Sequence, residues 1–170
     1  PMPVVACLLF ATTGMGLLAV KNMRSINANT LDITTNWLPS IRVLGDLRAG
    51  VITYRNVIRE HMLAESLDEK LAAEKTLAGV VESNNRIRAT YEPLISSAQE
   101  RALYTEWSRL WDEYKKGTQG VMALSRKAVG QVSREAHELN SNTVNKIGIS
   151  ADEILKKNID LNNKGAEQAT

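Results

Sequence analysis

Between residues 41 and 62 the chain reads IRVLGDLRAGVITYRNVIREHM, with Ile41, Leu44, Arg48, Val51, Arg55, Ile58 and Met62 at alternating steps of three and four. That spacing marks one packed stripe on a helix. The same period returns in Leu77, Val80, Asn84, Ile87, Tyr91 and Leu94, and again in Tyr104, Trp107, Trp111 and Tyr114. A fourth set comprises Ala136, Leu139, Thr143, Ile147, Ala151, Ile154 and Leu161. No segment alternates as a strand would. Four long helices joined by short links predict an all-α fold, an antiparallel up-down-up-down four-helix bundle.

Punctuation between the stripes agrees. Pro39 predicts a kink or a join in the first helix, which runs from about Lys21 to Ala64. Ser66 with Glu69, and Ser97 with Glu100, read as capping boxes opening the second and third helices. Gly130 reads as the glycine that closes the third, and the fourth opens near Val132. Asn84, a lone amide in its stripe, reads as a register device. The Tyr and Trp stripe reads as bundle core, with a pocket floor as the alternative.

The first 20 residues carry no charge and match the length that crosses a hydrocarbon core. They predict a transmembrane helix over 1–20 ahead of a helical domain over 21–170. There is neither a basic leader nor a small-residue cleavage site, and the chain starts at Pro1. It therefore reads as a fragment whose cytoplasmic flank is missing. The far side of the membrane would begin at Lys21.

Composition narrows function mainly by exclusion. Twenty-one Lys and Arg against 19 Asp and Glu leave no basic face for nucleic acid. A single cysteine allows no internal disulfide. No phosphate loop, HExxH or CxxC is present, so neither catalysis nor a cofactor is expected. His61 and His137 would meet at the bundle tip near Glu65, Glu135 and Glu138. A metal site there is conceivable, but solvated tip histidines are the simpler reading.

The arginines are more informative. Arg42, Arg86 and Arg109 each have an acid three or four residues away. Arg48, Arg55, Arg59 and Arg101 have none, and Arg55 and Arg59 are a like-charged pair one turn apart. Snorkelling explains one such residue easily. Three within twelve positions suggest a stripe awaiting an anion, and guanidinium forks suit carboxylates.

The segments NWLPSIRVLGDLRAGVITYRNVIREHM, YEPLISSAQERALYTEWSRLWDEYKK and ALSRKAVGQVSREAHEL occur in this order. With the charge-free leader, the chain resembles the four-helix-bundle ligand-binding domain of bacterial methyl-accepting chemotaxis receptors over residues 1 to about 168. The resemblance implies a periplasmic sensor on the bacterial inner membrane that forms a homodimer through its first helix. It also implies signalling by a small piston or rotation of the fourth helix. Relatives sense amino acids, organic acids or aromatic carboxylates, and some bind them through first-helix arginines at the dimer interface. Arg48, Arg55 and Arg59 occupy that stretch, with a spacing unlike that of the aspartate receptor. A ligand with two or more carboxylates, or an aromatic acid, fits at least as well. Tyr54, Arg101 and Tyr104 join the candidate ligand-binding set. The alternatives are a partner-binding or structural bundle and the sensor domain of a histidine kinase.

Overall fold

The structure, a computed structural model, describes the backbone of residues 2–168 and the side chains of residues 13–28 and 30–168. Helix α1 (Met2–Asp32) runs through a π-helical turn, Ile33–Trp37, into α2 (Leu38–Leu63). Next come α3 (Leu67–Tyr91), a 3-10 turn (Glu92–Leu94) and α4 (Ala98–Arg126). A short α5 (Arg134–Leu139) then runs through a second π turn, Asn140–Val144, into α6 (Asn145–Gln168). Among the described residues every element is helical. Residues 38–168 form four rods, with α5, its π turn and α6 acting as the fourth.

Contacts fix the direction of each rod. Arg48 meets Asp152 and Arg55 meets Asn145, so α2 and α6 are antiparallel. Lys70 reaches Ser125, and Tyr91 reaches Glu100, which sets α3 against α4. Tyr54 of α2 bonds Thr118 of α4 across the middle of the bundle.

Proline at 39 does not divide the first rod. The preceding turn is π-helical, with Leu38 donating back to Ile33, and Pro39 occupies the opening turn of α2. A missing N–H costs little at such a position. The expected capping box at Ser66 is complete: Ser66 Oγ accepts from Glu69 N, and Glu69 Oε2 accepts from Ser66 N. At Ser97 only half forms. Ser97 Oγ accepts from Glu100 N, but the Glu100 carboxylate turns inward to Ser96 and Tyr91. Gly130 does not end α4, which stops at Arg126. With φ +76° it shapes the loop beyond, where its N–H reaches Glu65 O at 2.8 Å.

The aromatic stripe is core. Tyr104, Trp107, Trp111 and Tyr114 are buried, and the Trp107 and Trp111 rings stack 6.2 Å apart. Tyr54 packs edge-on against Trp111 at 5.0 Å. Two stripes differ from expectation. On α2 the buried line is Ser40, Leu44, Leu47, Val51, Tyr54, Ile58 and His61, which leaves Arg48 and Arg55 half-buried on its flank. On the fourth rod Ala136 and Ala151 are buried as expected, together with Asn140, Val144, Gly148, Leu155 and Asn162, while Leu139, Ile147, Ile154 and Leu161 are partly exposed. The π turn rotates the face by one residue. Small residues then admit bulky partners: a Cβ on Gly148 would sit 3.0 Å from the Tyr114 ring, and one on Gly165 would sit 2.5 Å from Trp37.

Residues 2–20 of the expected membrane span, 1–20, lie within α1, but the side chains of its first twelve residues fall outside the described set. Among the described residues no helix is long and apolar enough to cross a membrane. Side chains 13–28 are all exposed, including Met15, Leu17, Leu18 and Val20.

Candidate functional site

Along the seam between α2 and α6 the three arginines meet different partners. Arg48 makes a fork-to-fork pair with Asp152, Nε to Oδ1 at 2.7 Å and Nη2 to Oδ2 at 3.0 Å. Its acid lies on another helix, so the expectation that Arg48 is unpaired is corrected. That bond raises the Arg48 pKa further above its usual range, against the opposing effect of burial. Arg55 donates through Nε and Nη2 to the neutral amide oxygen of Asn145, at 3.3 and 3.1 Å. Asn145 is the first residue after the second π turn. Arg59 is exposed and makes no hydrogen bond or ion pair with any described residue. Two guanidiniums one turn apart therefore lie with no acid bonded to them among the described residues.

Tyr54 and Tyr104 lie elsewhere. Both are buried, and their hydroxyls are engaged, Tyr54 with Thr118 at 2.7 Å and Tyr104 with Arg88 Nε at 3.2 Å. Burial pushes the Tyr54 phenol up. Arg101 pairs with Glu92 at 2.8 Å across the α3–α4 link, which holds the Glu92 carboxyl below the usual range. Arg101 and Tyr104 stand at the Trp37 end, away from Arg55 and Arg59, so the six expected residues do not form one cluster. Of the local pairs, Arg86–Glu82 and Arg109–Glu106 form, whereas Arg42 and Asp46 do not.

The sequence reading missed several groups. Arg88 spreads over the Tyr104 and Trp107 rings, 5.9 and 5.4 Å from their centroids. Glu100 is buried, accepting from Tyr91 at 2.6 Å and Asn162 at 3.2 Å. At the opposite end Lys70 is buried, and its ammonium donates to His61 O and Ser125 Oγ, both at 3.0 Å. His61 is no solvated tip residue. It is fully buried, with Nε2 2.9 Å from Glu74 Oε1 and Nδ1 unpartnered. His137 is exposed, and among the described residues no group of three or more His, Cys, Asp or Glu could hold a metal. Glu100, Lys70 and His61 left little trace in the sequence, because each is internalised by residues distant in the chain. Arg88, an arginine in an aromatic-rich bundle, was the most findable.

Four antiparallel rods with buried rings along the axis and cations on one outer seam agree with what the family comparison finds. A model described as a four helix bundle sensory module for signal transduction matches residues 2–170. The chain belongs to this family. The sensory module is thus of the type found in methyl-accepting chemotaxis proteins. No curated protein and no solved structure matches the chain. In the sensory module the α2–α6 seam joins the rod entered from α1 to the rod that carries the chain to its C-terminal end. A ligand there would touch both.

Proposed function

We propose that the chain is the periplasmic sensor domain of an inner-membrane chemoreceptor and that it binds a small carboxylate at Arg55 and Arg59. The observation that carries this reading is the pair itself. Two cations one turn apart repel each other, by a few tenths of a kcal/mol in an exposed helix. Among the described residues one has only an amide for a partner and the other has none. A carboxylate relieves that repulsion and gains charge-assisted hydrogen bonds. Tyr54 and Tyr104 act in this reading as core supports, not ligand contacts. The exposed apolar side chains of α1 favour its insertion in a membrane.

A homodimer through α2 would bring the arginines close to their own copies, so an anion shared by two subunits would also strengthen the dimer. Calorimetry of the full 170-residue chain against mono-, di- and tricarboxylates tests the reading. Saturable binding of at least one acid is expected, lost in Arg55→Ala. A panel without heat or thermal stabilisation would favour a bundle whose arginines meet an acidic protein partner.

A further inference from the structure

Three arginines share the outer seam, yet only two are available, and the third is closed by one residue. We propose that Asp152 is a specificity-determining residue that limits the seam to ligands carrying no more than two carboxylates. The inference rests on the carboxylate reading above and deepens it.

Arg55 and Arg59 are separated by one helical turn, which places their Cβ atoms about 5–6 Å apart. That span suits the two ends of a four-carbon diacid. Arg48 lies two turns below Arg55, about 10 Å along the axis. Helical side chains lean toward the N-terminal end of their helix, so the three guanidiniums keep the order 48, 55, 59 along the seam. By position, a third carboxylate on the same ligand would come to Arg48. The Arg48 fork, however, is already filled. Both of its bonds run to the two oxygens of Asp152, at 2.7 and 3.0 Å, and Asp160 of α6 adds further negative potential at Arg48. A third carboxylate would have to displace Asp152 and then sit beside its freed charge. Its bonds to Arg48 would only replace those lost by Asp152, with two carboxylates left side by side. A repulsive group built against the wrong ligand discriminates as strongly as an attractive group built for the right one. Asn145, the corresponding α6 partner of Arg55, is neutral and carries no such penalty. Acid at 152 and amide at 145 thus separate a closed arginine from an open one along one seam.

The test is calorimetry on the full chain with succinate and citrate as probes. Asp152→Asn keeps the shape of the side chain and one acceptor for Arg48 but removes the charge. The wild type should bind succinate, with citrate weaker by about tenfold or more, the scale of one charge-assisted contact. In Asp152→Asn citrate affinity should rise by about tenfold, with succinate within about threefold of wild type. Adding Arg48→Gln should abolish the gain for citrate and spare succinate. Loss of a merely structural tie would instead weaken both acids together, with or without Arg48. Citrate binding the wild type as tightly as succinate, or unchanged in Asp152→Asn, overturns the role of Asp152 while leaving the arginine pair standing. Failure of the wild type to bind either acid overturns the carboxylate reading, and this inference with it.

Discussion

Replacing Gly50 by Ala should destabilise the bundle, and replacing Asn84 as well should restore it. A Cβ built on Gly50 would lie 1.8 Å from Asn84 Oδ1, 2.7 Å from its Cγ and 3.0 Å from its Nδ2. Asn84 is fully buried, and neither of its side-chain polar atoms has a hydrogen-bond partner. The amide therefore occupies the notch that glycine leaves in α2. In an unobstructed helix Gly→Ala gains roughly 0.5–1 kcal/mol. Here the new methyl overlaps a walled-in side chain, and overpacking of that kind costs about 1–3 kcal/mol. Gly50→Ala alone should thus cost about 1–2 kcal/mol net. Asn84→Ala alone removes two unpartnered polar atoms but opens a small void, and the two effects should cancel to within about 1 kcal/mol. In the double variant the obstruction is gone and the helix gain is realised. It should match or exceed the wild type, with a coupling of at least about 1 kcal/mol between the sites. Urea unfolding followed by far-ultraviolet circular dichroism measures all four corners of the cycle. Additive effects of the two substitutions would refute the idea that Asn84 fixes the α2–α3 register by filling the Gly50 notch.

Three further outcomes follow from the same geometry. Ser66→Ala breaks the one complete capping box and should cost about 1 kcal/mol in the same assay, more than Ser97→Ala need cost, since Glu100 is held by other partners. Burial, outweighing its bond to Glu74, holds the His61 pKa below its ordinary value. Below the ordinary pKa the unfolded chain takes up a proton that the folded one refuses, so stability should fall as pH drops under about 6.5 and level off once the folded-state pKa is passed. His61→Gln should flatten that part of a pH–stability profile. Arg55→Ala should weaken carboxylate binding by about 2 kcal/mol, while Arg42→Ala, on an exposed part of α2, should leave the calorimetric affinity unchanged.

How much of this was legible beforehand depended on residue size and on sequence distance. The α4 stripe was unambiguous because four large rings at steps of three and four have only one face to share. On α2 two overlapping stripes were available, both containing Leu44, Val51 and Ile58. Met62 of the first stripe is buried as expected, but the buried line also takes in His61, which a hydrophobicity rule places outside. Polar residues that are buried because something distant satisfies them escape such rules. His61 with Glu74, Lys70 with Ser125 and Glu100 with Asn162 are three instances. The pairing of Arg48 with Asp152 spans 104 positions, so counting acids three or four residues away could not find it. Arg59 fared better, because its lack of a local acid coincides with the lack of a distant one among the described residues. The fourth stripe was found but rotated, since nothing in NSNTV announces a wider turn.

That wider turn has a consequence for anyone exchanging parts between such bundles. A π turn holds one more residue than the α turn it replaces without interrupting the rod. Before Asn140 the fourth rod keeps one heptad phase, and after Val144 it keeps another. A chimaera that fuses the residues after Val144, by simple residue count, to an upstream segment lacking the extra residue would present Ile147 and Ile154 to the axis where Gly148 and Leu155 belong, and would set a branched side chain against the Tyr114 ring. A junction placed upstream of Asn140 keeps the π turn and inherits the correct phase. The same single-residue step would appear as a one-position gap when this helix is aligned with a relative whose fourth rod is α-helical throughout.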